Sequence, residues 1–134
     1  MGKPFNGKRM VKKMKIKIRQ ADRLFSKYLR DLRHNTCEVC GRSGTYKMEA
    51  SHYFGRGHEN TRFDEQNVRC LCFLCHQRMG GYMRSEQGEY DLFMKKILGE
   101  RDYKKLKIRA FTYHKKDDKM ILLYLKQKGY VYTN

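Results

Sequence analysis

The stretch that decides the fold of this chain begins at Cys37-Glu-Val-Cys40 and ends at Cys72-Phe-Leu-Cys75. A Cys-x2-Cys pair can place two thiolates on one metal ion, because a tight turn brings its two ends together, and Gly41 suits such a turn. Two pairs complete a tetrahedral site of four sulfurs with no open position. The sequence therefore predicts a structural Zn²⁺ bound by Cys37, Cys40, Cys72 and Cys75. A redox-active pair, which needs only one motif, and unrelated buried cysteines are the alternatives.

The fifth cysteine, Cys70, is separated from Cys72 by a single residue, which is a poor spacing for a metal-binding turn. We expect it to be buried or idle, outside the zinc site. The chain shows no secretory signal, and its longest apolar run, residues 120–125, is far too short to cross a bilayer. We therefore expect a cytoplasmic protein without a membrane partner. In a reducing compartment, cysteines act as metal ligands before they form disulfides.

The charge of the chain is strongly positive, with 31 Lys and Arg residues against 14 Asp and Glu and a formal net charge of +17. The first twenty residues hold eight basic and no acidic side chains. A phosphate polymer is the natural partner of such a field, because each neutralised phosphate releases counterions. We expect a nucleic acid partner and a flexible basic arm over residues 1–17. A surface that is basic only for solubility is the alternative.

A helix is predicted from about Ile18, N-terminal to the first cysteine pair. Apolar residues fall at helical spacing along one stripe between residues 21 and 32. The opposite face is basic, and we expect it to follow a phosphate backbone through Arg19, Arg23, Lys27 and Arg30. The simpler interpretation is a packed helix whose basic face is only solvated, and this interpretation is compatible with DNA binding.

The rest of the chain alternates short strands with further helices. Strand-like pieces are predicted at 45–48, 52–54 and 68–71. Helices are predicted at 89–98, at 101–110, and from a cap at Asp117 or Asp118 to about residue 128, before Gly129. We therefore expect an α+β protein with one domain over 18–134, in which a zinc-knuckle core at 36–81 precedes a helical part at 82–134.

Three polar residues lie in a fixed order among the cysteines: His52, Asn67 and His76, which directly follows the last cysteine. This order, woven through two Cys-x2-Cys pairs, resembles the HNH (ββα-metal) endonuclease superfamily over about residues 37–81. The resemblance implies a zinc-stabilised ββα-metal core with flanking N- and C-terminal helices. It also implies a metal-dependent DNA endonuclease that hydrolyses phosphodiester bonds.

A narrower resemblance spans most of residues 20–128. The segments that carry it, beside the cysteine pairs, are Ala21-Asp-Arg-Leu-Phe-Ser-Lys-Tyr-Leu-Arg30, Ala50-Ser-His-Tyr53, Arg56-Gly57, Arg62-Phe63 and Asn67-Val68. They are similar to the NinG/Rap family of phage recombination endonucleases, which act on branched DNA such as the Holliday junction. The resemblance implies a structure-selective nuclease in a bacterial host cell, leaving 5′-phosphate and 3′-hydroxyl ends.

The resemblance also implies roles for individual residues. His52 would be the general base that takes a proton from the attacking water, and Asn67 would hold the His52 ring or pin the loop with its amide. Glu49 and His76 would bind a catalytic Mg²⁺ or Mn²⁺. The family usually has Asp and Asn at these two positions. The imidazole of His76 shifts the metal preference from Mg²⁺ alone towards Mn²⁺, Zn²⁺ or similar ions.

Four more residues are expected to contact DNA phosphates: Arg56, His58, Arg69 and Arg78. A homodimer is a reasonable expectation, because resolving a branch often needs two paired cuts. Two other functions stay open, a non-catalytic zinc-knuckle DNA-binding protein and a sequence-specific HNH nuclease. A binding module would not need His52 and His76 in register with the knuckles, which favours the enzyme.

Overall fold

The protein has a mixed α+β architecture in the computed structural model, which describes residues 16–84 and 88–131. Its elements are, in order, α1 (Gln20–Leu32), β1 (Met48–His52), α2 (Glu59–Arg62), β2 (Val68–Cys72), α3 (Phe73–Met79), α4 (Glu89–Leu98), α5 (Glu100–Ala110) and α6 (Asp118–Gln127). Most of the predicted basic arm, residues 1–15, lies outside the described residues. None of the helices in the described ranges is long and apolar enough to cross a membrane.

The sheet consists of β1 and β2, paired antiparallel from Met48 opposite Cys72 to His52 opposite Val68. Every residue of β2 is buried, because α1 and α3 also pack against it. The helix α3 begins directly after β2, so strand, strand and helix form one unit. The predicted pieces at 45–48 and 52–54 are wrong: one strand runs between them, because pairing with β2 sets the register that local sequence leaves open.

The N-terminal helix α1 packs as the periodicity predicts. Its stripe buries Ala21, Phe25 and Leu29, and Phe25 and Leu29 share a core cluster with Val68 of β2 and Leu125 of α6. The start of α6 is capped by Asp117, whose side chain accepts a hydrogen bond from the Met120 backbone N–H at 3.1 Å. The first and last helices of the described residues therefore share one core cluster with Val68 at the start of β2.

A second core cluster lies around the cysteine pairs and joins the sheet to α4 and α5. Its large, fully buried members are Tyr53, Phe54, Leu71, Met79, Tyr90, Met94 and Leu106. The helices α4 and α5 are separated by Gly99 alone, whose φ of +81° is a conformation that favours glycine. The predicted helices at 89–98 and 101–110 are confirmed, with the second starting one residue earlier.

Candidate metal centres and catalytic cavity

The four cysteines of the two knuckles meet at one point. Their Sγ atoms all lie within 4.8 Å of one another, and Cys40 and Cys72 are separated by 3.7 Å. A tetrahedral Zn²⁺ with bonds of about 2.3 Å would set its sulfurs roughly 3.8 Å apart, which matches the Cys40–Cys72 separation and requires movements of about 1 Å or less of the other thiols. Among the described residues this is the only group of three or more His, Cys, Asp or Glu side chains so arranged. The predicted ligand set is therefore the one that the fold brings together.

Local structure explains how each pair reaches the metal position. The first knuckle closes when the Gly41 N–H donates to the Cys37 carbonyl at 2.9 Å, with Gly41 at φ +78°. The second pair straddles the junction of β2 and α3. Cys70 is fully buried outside the site, where burial raises the pKa of its thiol to about 11. Its position agrees with the expectation of a fifth cysteine that does not bind the metal.

A cavity of about 510 Å³ opens beside the end of β1. Its lining includes six polar or aromatic side chains that could meet a nucleic acid strand: His52, Arg56, His58, His76, Tyr82 and Arg84. The two histidines that the sequence singles out thus share one cavity, although they are 24 positions apart in the chain.

The His52 ring is held in one orientation at this cavity. Its Nε2 lies 2.9 Å from the carbonyl oxygen of Arg62, and since a carbonyl can only accept, Nε2 carries the hydrogen. The lone pair of the neutral ring is therefore on Nδ1. Burial, together with the nearby Arg56 cation, lowers the pKa of His52 to about 4. The sequence-based assumption of an ordinary pKa near ~6.5 is thus corrected by tertiary structure.

The carbonyl that orients His52 is that of Arg62, whose side chain forms a buried ion pair with Asp22. The Arg62 guanidinium donates to both oxygens of Asp22, at 2.9 and 2.5 Å, and also to the Lys17 carbonyl at 2.8 Å. Burial alone would raise the pKa of Asp22, but the hydrogen bonds from Arg62 and from the Arg19 backbone N–H, together with the nearby guanidinium charges, outweigh it and the pKa is lowered. This pair links α1 to the end of α2. No local sequence pattern predicts this pair, because its partners are 40 residues apart.

Glu49 of β1 and His76 of α3 form the second pair at the site. The Nδ1 of His76 lies 2.8 Å from Oε1 of Glu49, and about a third of each side chain is exposed. Two ligands bonded to one cation at about 2.1 Å and at a right angle are roughly 3.0 Å apart. In the described structure these two atoms share a hydrogen bond in which Nδ1–H of His76 donates to the carboxylate, so a divalent cation bound by both would have to replace the Nδ1 proton.

Asn67 is fully buried, and among the described residues no hydrogen bond joins its amide to the His52 ring. Its Oδ1 accepts from the Phe54 N–H at 2.8 Å, and its Nδ2 donates to the carbonyls of Phe54 at 2.8 Å and Thr61 at 2.9 Å. These hydrogen bonds go to backbone groups, so they do not give Asn67 the role of holding the His52 ring. Of the two roles considered from the sequence, the structure shows the second, because the amide pins the segment after β1 to α2.

The predicted DNA-binding cations fall into two groups. Arg69 is 5% exposed and donates to Glu38 and to the Gln66 carbonyl, so its assignment to DNA is corrected. Arg19 forms ion pairs with Glu59 and Asp118 within the protein, so its guanidinium is not free to bind DNA.

The other predicted DNA-binding residues are more exposed or have fewer partners within the protein. Arg23 and Lys27 are exposed on α1, whereas the Nε of Arg30 donates to the Ser26 carbonyl. The exposed Arg78 lies 3.2 Å from Glu89. At the cavity, His58 uses Nδ1 to donate to the Ala110 carbonyl at 2.9 Å.

Arg56 differs from all of these cations. It lines the cavity, and its guanidinium has no hydrogen-bond or ion-pair partner among the described residues; its Nε is buried without one. The distinction matters because a guanidinium without a direct hydrogen-bond or ion-pair partner can donate to an anion, although the charge of Asp22 lies near enough to interact with it. Arg56 is therefore the cation best placed to receive a phosphate next to His52.

A larger cavity of about 640 Å³ lies elsewhere, between α2, its following loop and α6. Its carboxylates are already partnered. Asp64 accepts from Arg109 at 2.8 Å, and Glu65 accepts from Tyr28 and Tyr124 at 2.5 and 2.8 Å. This cavity lies between packed elements, and neither His52 nor His76 lines it.

One known protein family matches the chain over a range that contains the whole candidate site. The family described as "Bacteriophage Lambda NinG protein" matches residues 6–121. The chain belongs to the NinG family. The match includes both knuckles and all the residues of the candidate site, and it points to a role related to phage recombination. No curated protein and no solved structure matches this NinG family member significantly.

Proposed function

We propose that this NinG family member is a metal-dependent DNA endonuclease of the HNH type that acts on branched recombination intermediates. The observation that carries the proposal is the placement of His52 in one cavity with His76 and Arg56, where, among the described residues, neither His52 Nδ1 nor the Arg56 guanidinium has a hydrogen-bond partner. His52 and His76 stand on the first strand and on the helix of a strand–strand–helix unit that also carries two of the four cysteines, which is the order that the HNH resemblance implies, and Arg56 lies in the loop after β1.

The proton transfer falls to His52. The ring is neutral at physiological pH because burial and the Arg56 cation lower its pKa to about 4, so Nδ1 keeps its lone pair for a water proton, and the same low pKa makes the ring a weak base. The hydrogen bond from Nε2 to the Arg62 carbonyl fixes the ring orientation and stabilises the cation that forms. The buried Asp22–Arg62 pair holds that carbonyl in place. Asn67 contributes by fixing the backbone at Phe54, two residues after His52.

The phosphate would be held by Arg56 and by the metal pair. Glu49 and His76 would hold Mg²⁺ or Mn²⁺, and such an ion supplies Lewis-acid stabilisation of the negative charge on the phosphate and the leaving oxygen. Arg56 adds a fixed positive charge on the same cavity wall as His52. The zinc site would not take part in the reaction, because four thiolates leave it no open position.

DNA is the proposed partner, bound at the cavity and along the exposed Arg23 and Lys27 of α1. Two copies of the chain would supply two cuts at a branch, so a homodimer remains part of the proposal. Selectivity for branched DNA rests on the family membership, which points to recombination.

The proposal is tested by incubating the zinc-loaded protein with a flap, a Holliday junction, a linear duplex and a single strand, each with Mg²⁺ or Mn²⁺. We expect nicking of the branched substrates. Glu49→Gln and His76→Ala should each lower the rate by at least about 10-fold, and higher Mn²⁺ should restore part of it, because the change weakens metal binding. Calorimetric titration with Mn²⁺ should show weaker binding in both variants.

Matched controls are Glu100→Gln and His114→Ala, which change the same residue types at exposed positions. Both should cleave DNA and bind Mn²⁺ as the wild type does. Binding of branched DNA without cleavage under either metal would overturn the proposal and favour the non-catalytic DNA-binding protein. Cleavage of the linear duplex at fixed sequences would favour the sequence-specific nuclease.

A further inference from the structure

A cluster of aromatic rings forms one rim of the catalytic cavity and is not used by the proposed chemistry. Its outermost member is Phe111, which follows α5 directly and is 61% exposed. The other members are His58 and Tyr82, which line the cavity, and Phe54, which is fully buried beneath them. Because Phe111 contacts two residues that line the cavity, a ligand that enters the cavity can reach its exposed face.

The ring of Phe111 is supported from several sides. Its centroid lies 5.2 Å from that of His58, 5.9 Å from Phe54 and 6.0 Å from Tyr82, with interplanar angles of 69° to 79°. All three contacts are edge-to-face. His58 is itself fixed by its hydrogen bond to the Ala110 carbonyl. The cluster therefore holds Phe111 in place without covering it by a parallel ring.

The charges around this rim select the chemistry of the occupant. Arg56 and Arg84 line the cavity, and Nζ of Lys107 lies 5.7 Å from the centre of the Tyr82 ring. A polyanion strand that crosses the cavity would therefore keep its phosphates near cations and bring its bases to an aromatic rim. Every nucleobase offers a flat face that can stack on such a ring.

We propose that the exposed face of Phe111 stacks on an unstacked nucleobase of the strand whose backbone enters the cavity. The inference rests on the proposed function and extends it, because it states how a branch is distinguished from an intact duplex. Bases in a continuous duplex are already stacked on their neighbours and would have to be extruded. A base at a flap or junction is available at a much smaller free-energy cost.

The test is a binding cycle without added Mg²⁺ or Mn²⁺, using zinc-loaded protein and a flap DNA. One flap carries thymine at the unpaired position next to the branch, and a second carries an abasic residue there. We expect the wild type to bind the abasic flap about 5-fold to 150-fold more weakly, which is the usual range for one base stacked on an aromatic side chain. Phe111→Ala should bind both flaps equally, and Phe111→Tyr should keep the difference.

Tyr46→Ala is the matched control, since Tyr46 is 55% exposed and does not line the cavity. It should keep the full difference between the two flaps. A second measurement uses 5-iodouracil at the unpaired position of the wild-type complex, where light should crosslink the base to Phe111. Equal binding of the two flaps by the wild type, or a crosslink that bypasses residue 111, would overturn the inference. Neither readout depends on cleavage, so the endonuclease proposal can fail separately.

Discussion

Replacing Asn67 with Ala should destabilise the protein far more than its small size suggests. The amide is fully buried, and in the described structure it is the only partner of the Phe54 N–H and the Phe54 carbonyl. The Thr61 carbonyl, by contrast, keeps a hydrogen bond from the Asp64 N–H at 3.2 Å. The substitution therefore leaves two buried backbone groups without partners.

Each unsatisfied buried group costs about 1–3 kcal/mol, so the expected loss in the free energy of unfolding is roughly 4 kcal/mol. For a chain of this size that loss corresponds to a drop in the melting temperature of roughly 15 °C. Thermal unfolding followed by circular dichroism, with excess Zn²⁺ present throughout, measures it. The rate of DNA cleavage should also fall, because the loosened segment begins two residues after His52.

Asn60→Ala is the control for this experiment. Its side chain is only partly buried and donates one hydrogen bond, to the Arg109 carbonyl at 3.0 Å, so a loss of about 1 kcal/mol or less is expected. An Asn67→Ala protein that melts within about 3 °C of the wild type would refute the reasoning. So would a variant that keeps its stability and loses only cleavage, since that result would return Asn67 to a direct catalytic role.

Three further predictions follow from the metal site, the buried histidine and the basic helix. Cys72→Ser should lose bound zinc and the native circular dichroism signal, whereas Cys70→Ser should keep one zinc per chain; equal zinc contents would contradict the assigned ligands. The pKa of His52 is about 4 when folded and near ~6.5 when unfolded, so the unfolded state binds more protons between these values. Stability should therefore fall as the pH drops from 6.5 to 4, by up to about 3 kcal/mol more in the wild type than in His52→Ala, as urea unfolding at several pH values would reveal. Reversing Arg23 and Lys27 to Glu should weaken DNA binding and flatten its dependence on salt by about two slope units; an unchanged slope would assign this face to solvent only.

Local sequence was sufficient where the determinant is local. The spacing within Cys37–Cys40 and Cys72–Cys75 predicts the four-sulfur group because each pair is one turn long. The stripe of α1 and the cap at Asp117 follow from helical period and side-chain chemistry in the same way. The match of the NinG family to residues 6–121 confirms the family that these motifs indicate.

The sequence was insufficient where distant residues decide the outcome. Arg69 reads as a surface cation, but pairing of β2 turns it into the interior, where Glu38 neutralises it. The low pKa of His52 arises from burial beneath segments that no local pattern predicts. The Asp22–Arg62 pair joins α1 to α2 across 40 positions. These are tertiary contacts between polar residues, which have no periodicity to mark them.

The central claim, that His52 is the base of a phosphodiester hydrolysis, is tested most directly by His52→Ala on a flap and a Holliday junction with saturating Mn²⁺. Zinc content, circular dichroism and affinity for the same DNA are measured on the same preparations. We expect the variant to fold, bind zinc and bind DNA, and to cleave about 10²-fold to 10⁴-fold more slowly than the wild type, without rescue by Mn²⁺. Cleavage by His52→Ala at a rate near that of the wild type would contradict the assignment.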